Sequence, residues 1–204
     1  MTTKTGTEGV AAAAQSCCQE RAGAPSAMPS SSAELISKYR IGVENFDRRV
    51  FELTEEQLDR AFLPDAGVGR WPVRVLLGHL ADAEVVFSHR MRRAVGEDHP
   101  VVALWDENAF IDSGIYNGAP IAGFIAAIHT LRRWTGEWLS SLDESKMQRK
   151  ILHPEKGEMT VHQILVYATW HLEHHGEYLR KKVDKMLGPA GKGSCGSGCG
   201  CHSR

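Results

Sequence analysis

Apolar residues recur at three- and four-residue spacing in four stretches of the chain, the mark of helices that bury one face. The first carries Leu35, Tyr39, Val43, Phe46, Val50 and Leu53. Ser31-Ser-Ala-Glu34 before it has the form of a capping box, and the stripe predicts a helix running to about Phe62, where Pro64 and two glycines break it. Trp71-Pro72 opens a second, with proline in the first turn where its missing donor costs nothing. Its stripe reads Val75, Leu76, His79, Ala83, Val86 and Phe87 and ends near Val95-Gly96. A third starts at about Pro120, with Phe124, Ile128, Leu131, Trp134 and Trp138 on one side. The fourth begins at Thr160, three residues before Gln163 in a second capping box, and its inward positions are Ile164, Ala168, Leu172 and Leu179. Leu187-Gly188-Pro189 stops it.

Two connectors have character of their own. Residues 97–118 hold turn formers together with Leu104, Trp105, Phe110, Ile111 and Tyr116. So many large apolar side chains predict an ordered flap rather than a flexible tether. His153-Pro-Glu-Lys-Gly-Glu-Met159 is turn-rich and fits a short hairpin. With no strand pattern as long as the helical ones, the expected fold is all-α, an up-down four-helix bundle. The chain divides into residues 1–30, an Ala/Ser/Gly/Pro-rich disordered arm; 31–187, the bundle; and 188–204, a flexible Gly/Cys-rich tail.

Composition narrows the partners. A formal charge of −1 and a pI near 6.8 supply no electrostatic attraction to nucleic acid. No apolar run suits a bilayer, and Met1–Ala14 is too weakly apolar for a signal peptide, so neither membrane nor nucleic acid is expected and the location expected is cytoplasmic. The cysteines, Cys17, Cys18, Cys195, Cys199 and Cys201, all lie outside residues 19–194, so the bundle is no disulfide scaffold.

Chemistry concentrates in three histidines. His79 sits in the middle of an apolar face, an odd place for a lone polar ring. His171 and His175 lie four residues apart beside the inward stripe of the last helix, where two side chains project together. In a bundle such residues converge in the core, and three neutral imidazoles hold a divalent cation while leaving a position for a guest. The alternative is three ordinary histidines, each bonded to a neighbour, but burying three unpaired rings is costly in a chain expected to bury few other polar groups. His174, off that line, is expected to be solvated or beside the ligands. His89, His99, His129, His153 and His162 receive no role. Arg90, Arg92 and Arg93 could bind a carboxylate or phosphate, against the plainer reading of a solvated helix end. Trp134, Trp138 and Trp170 are expected to be packing, and Lys181-Lys182 a solvated helix end.

Trp71-Pro-Val-Arg-Val-Leu-Leu-Gly-His79, Trp105-Asp-Glu107, His153-Pro-Glu-Lys-Gly-Glu158 and Trp170-His-Leu-Glu-His-His175 together resemble the DinB-like metalloproteins. Within them they resemble the YfiT-like branch, which includes bacillithiol S-transferases and metal-dependent hydrolases. The resemblance spans about residues 32–186 and implies the metal triad His79, His171 and His175 and a homodimer. Relatives tend to carry Tyr-Asp-Glu and a nearby Trp in the flap, where this chain has Trp105-Asp106-Glu107 and Phe110. The reading that follows is a metal-dependent transferase joining a low-molecular-weight thiol to a small-molecule electrophile. Asp106 or Glu107 would orient a ligand or move the proton, although no spacing argument places either at the site. Zinc or nickel suits three imidazoles, with Fe(II) or Mn as further options. A hydrolase using the same ligands is the alternative. A third reading is non-enzymatic, with Cys195, Cys199, Cys201 and His202 handling a soft metal, joined by Cys17 and Cys18.

Overall fold

Ser31 opens α1 (Ser32–Ile41) by accepting the Glu34 amide on its hydroxyl, but the helix ends twenty residues before the stripe predicts. The structure, a computed structural model, describes residues 31–190. The arm 1–30, nearly all of the tail 188–204, and with them all five cysteines and His202, lie outside the described residues. After Ile41 the chain proceeds through single-turn 3-10 segments at Gly42–Asn45 and Arg48–Glu52, then the short helix α2 (Glu55–Leu58). Two local features break the expected helix. Gly42, the C-cap of α1, is a poor helix former, and its bare Cα lies against the Leu172 side chain, 2.7 Å from where a Cβ would stand. Asp47 accepts the Arg49 amide, and Thr54 and Gln57 form a reciprocal capping box, so side chains satisfy donors that a continuing helix would have used. Val43, Phe46, Val50 and Leu53 are nonetheless buried. The stripe reports what faces inward, not whether the backbone between is one helix.

The remaining elements are α3 (Val73–Gly96), α4 (Glu107–Asp112), α5 (Ile121–Ser140), α6 (Glu144–Met147), β1 (Lys150–His153), β2 (Gly157–Thr160) and α7 (Val161–Leu187). The expected hairpin forms, with β1 and β2 antiparallel and Ile151 opposite Met159. α1, α3, α5 and α7 make the four-helix bundle. α1 and α3 each pack on both α5 and α7, so the order around the axis is α1, α5, α3, α7. The segments 42–72 and 141–160 therefore carry the chain across the ends of the bundle, from one diagonal helix to the other.

The apolar core falls into two clusters. One gathers Tyr39, Phe87, Met91 and Ala168; the other Leu76, Leu80, Leu172 and Leu179. A polar layer lies where they meet. Arg132 and Glu84, each 1% exposed at the side chain, pair at 2.6 Å, and Tyr39 donates its hydroxyl to Glu84 while its carbonyl accepts from Arg132 Nε. Burial pushes the Glu84 carboxyl up, and Arg132 and Tyr39 pull it back. Ser88 and Thr135 share a hydroxyl contact in the same region. The expectation of few buried polar groups is thus corrected: Arg74, Glu84, Arg132 and Lys182 are all buried. On α5 the inward line is Ile128, Arg132, Thr135 and Leu139, while Trp134 stands 53% exposed under the Arg92 guanidinium rather than in the core. Lys182 is not solvated either. Its amine donates to the Gly69 carbonyl and lies over the Phe62 ring, tying the loop before α3 to α7.

Segment 97–118 is an ordered flap. Tyr116 donates to Asp82 at 2.7 Å, and its ring occupies the space beside Gly78, where a Cβ would come within 2.3 Å of it.

Three outcomes check this packing. Arg132→Met is expected to cost about 3–5 kcal/mol in urea unfolding, because Glu84 is left buried and unpaired. Glu84→Leu combined with Arg132→Met should cost less than the two single changes added together. Gly78→Ala should cost about 1–3 kcal/mol through overpacking and speed amide hydrogen exchange across residues 107–118, as Tyr116 is pushed off α3.

Candidate metal centre

α3 and α7 lie against each other, and their facing surfaces bring His79, His171 and His175 together at the seam of the core. The Thr160 capping box sets where α7 starts, with Thr160 accepting the Gln163 amide and the Gln163 side chain accepting the Thr160 amide. From there the four-residue step places His171 and His175 one turn apart on the face turned to α3. Trp71 and Pro72 set the entry to α3, and the Trp71 ring lies against both His79 and His175.

The three imidazoles offer ligand atoms that all lie within 4.8 Å of one another, and the rings are 0–2% exposed. His79 Nε2 and His171 Nε2 are 3.2 Å apart. Two nitrogens on a tetrahedral ion at about 2.0–2.1 Å would be separated by about 3.3 Å, so this edge fits zinc coordination without movement. His79 Nδ1 is buried and finds no hydrogen-bond partner among the described residues. Its ring is held by aromatic faces instead, with Trp105 stacked on it at 5.3 Å and Trp71 tilted at 4.9 Å. Phe87 meets His171 edge-on at 5.5 Å.

This dry enclosure sets the charge of the rings. Burial draws His79 down to about 4, and it draws His171 and His175 well below the ordinary imidazole value, with mutual repulsion among the histidines adding to the effect. All three are therefore neutral at pH 7, the form that donates a lone pair to a cation. The donor set, its neutrality and its convergence fit a divalent metal ion.

A cavity of about 400 Å³ opens over His171. Phe87, Trp105 and Tyr167 form its aromatic side, the flap supplies Leu104, Asp106, Glu107 and Asn108, and Arg90, His153, Glu155 and Lys156 complete it. Both carboxylates singled out from the sequence line this cavity, but outside the histidine cluster. Asp106 also caps α4, accepting the Ala109 amide at 3.0 Å. His174 is half-buried and stacked on Trp170 at 5.0 Å, outside the cluster. His153 was given no role, yet it is buried and lines the cavity. Its Nδ1 accepts from the Glu155 and Lys156 amides, which leaves the proton of the neutral ring on Nε2. Nothing local in the sequence marks it, because its position depends on the hairpin docking beside α3.

The three arginines late in α3 separate, and none is simply a solvated helix end. Arg93 pairs with Glu97 and donates to the Val101 carbonyl. The Arg92 guanidinium lies between Trp134 and Trp138. Arg90 faces the cavity.

Comparison with known proteins places these features in a family. Residues 39–179 match the model of the DinB superfamily. A protein of Oceanobacillus iheyensis is 31% identical over 126 residues, covering 62% of this chain and 70% of its own. YfiT of Bacillus subtilis is 30% identical over 136 residues, covering 66% and 74%. Both carry the printed name "Putative metal-dependent hydrolase". The solved structure of YfiT, described as having "an unusual four-helix bundle topology", superposes with a TM-score of 0.71 at 22% identity over 83% of this chain and 95% of that one. The chain thus shares the fold of that structure, and it belongs to the DinB superfamily.

Proposed function

We propose that the chain is a metal-dependent enzyme that transfers a low-molecular-weight thiol to an electrophilic carbon held in the cavity, with His79, His171 and His175 as the metal ligands. The observation that supports this most directly is the donor set: three neutral, buried imidazoles on two rigid helices, one of which, His171, lines a cavity sized for a small molecule. A divalent cation there, zinc or nickel before Fe(II) or Mn, supplies Lewis acidity that favours the ionised form of a thiol or water at neutral pH. The chain's own residues do the rest. Phe87, Trp105 and Tyr167 exclude water beside His171 and offer the polarisable surface that sulfur prefers. Glu107 takes the proton that the sulfur gives up, while Asp106 orients the flap through its cap on α4. The carbon–sulfur bond forms as the leaving group departs with its electron pair.

Hydrolysis is the second reading, favoured by the printed names of the relatives. It uses the same ligands with water as nucleophile.

Protein purified without added metal is expected to carry about one equivalent of a divalent cation by elemental analysis, and His79→Ala or His171→Ala to lose it. Losing a ligand should lower turnover by more than about 100-fold, since changes to groups that merely support ligands already cost 10–100-fold. Wild-type protein should accelerate conjugation of a small thiol to monobromobimane. Turnover of an ester or amide panel without thiol, and no conjugation, would establish hydrolysis instead. Protein that takes up no cation would overturn both.

A further inference from the structure

The cavity contains a charge that the chemistry above does not use. Arg90 lines it, half-buried, and its Nη2 donates to the Ala103 carbonyl at 3.1 Å. Among the described residues Arg90 makes no ion pair, whereas Arg93 pairs with Glu97 and Arg92 lies against the Trp134 ring. Burial draws its guanidinium downward, the sign of a cation that has lost water without gaining an anion. Among the described residues no carboxylate of the cavity answers it: Asp106 caps α4, Glu155 is exposed at the hairpin turn, and Glu107 exerts no resolved pull on the guanidinium.

We propose that Arg90 is a specificity-determining residue that binds a carboxylate on a substrate whose reacting centre lies at His171. This deepens the functional reading above and rests on it for the identity of the reacting end. Three observations support it. The bond to Ala103 fixes one edge of the guanidinium and leaves the other for a planar, two-oxygen partner. His153, with Nδ1 occupied by two backbone amides, brings an Nε2–H donor to the same wall. Arg90 and His171 line the same cavity, and Phe87 and Tyr167, which also line it, pack against His171, so an acid group at Arg90 and a reacting centre at His171 share one enclosure. The choice of carboxylate over phosphate follows from charge. Asp106, Glu107 and Glu155 outnumber the two cations of the lining, Arg90 and Lys156, so a dianion is repelled about twice as strongly as a monoanion.

Hexanoate, hexanamide and hexyl phosphate, titrated into full-length metal-loaded protein by calorimetry, test the proposal. Wild-type protein should bind hexanoate in preference to hexanamide and to hexyl phosphate. Arg90→Gln should weaken hexanoate about tenfold or more, with hexanamide unchanged. Arg90→Lys, which keeps the charge and loses the fork, should recover only part of the loss. Thermal melts of both variants report whether the fold is intact. Equal hexanoate affinity in wild type and Arg90→Gln overturns the proposal, as does tighter binding of hexyl phosphate or no preference over the amide. Hexanoate bound through the metal alone would be lost on chelation yet insensitive to Arg90, which also overturns it. The metal content of the same samples is scored separately. An Arg90-dependent carboxylate site in protein that takes up no cation would leave this inference standing and remove the enzymatic one.

Discussion

Three uncharged imidazoles share one dry volume between α3 and α7, and most of the surrounding architecture can be understood as what makes that tolerable. A buried ring nitrogen without a partner is expensive, and charging it in this setting is more so. Trp71, Trp105 and Phe87 enclose the rings and keep them neutral, which preserves their lone pairs. In many metal sites a carboxylate or carbonyl orients each ligand histidine through its far nitrogen. For His79 the indoles of Trp71 and Trp105 take that part, fixing the plane of the ring by packing.

The same economy appears one layer away. Glu84 and Arg132 are expensive to bury and are reconciled by each other and by Tyr39, joining α1, α3 and α5 through directional bonds. An apolar stripe lets helices slide or rotate with little penalty, whereas one guanidinium bonded to both the Glu84 carboxylate and the Tyr39 carbonyl restricts the register. Holding α3 in a single rotation holds His79 in a single direction. The polar layer therefore supports the site without touching it.

Much of this was legible in the sequence, for identifiable reasons. His79 was conspicuous as a polar ring on an apolar stripe, and His171 with His175 as a pair at one-turn spacing. Thr160 and Gln163 announced the start of α7. The break after Ile41 was readable too, since Thr54-Glu-Glu-Gln57 is itself a capping box, but the continuing apolar stripe obscured it. Arg132 follows Ile128 by four residues and precedes Leu139 by seven, which puts it on the inward line of α5. It escaped because periodicity assigns charges to solvent unless a partner is known, and Glu84 lies 48 residues away. His153 had no signal in the periodic pattern, and Arg90 was legible as one of three candidate anion binders but not as the one that faces the cavity. Their place in the cavity wall comes from the flap and hairpin docking on α3, a tertiary fact.

The crossed order of the helices has a consequence for how the protein is made. His79 and His171 are 92 positions apart, and the chain between them includes the flap, α5 and the hairpin. A nascent chain that has completed α3 presents one isolated imidazole and can retain no cation through it. With the proposed ligand set, ligation would belong to the last stage of assembly, when α7 closes the bundle, and an ion captured then would reinforce the finished topology and lend nothing to its precursors.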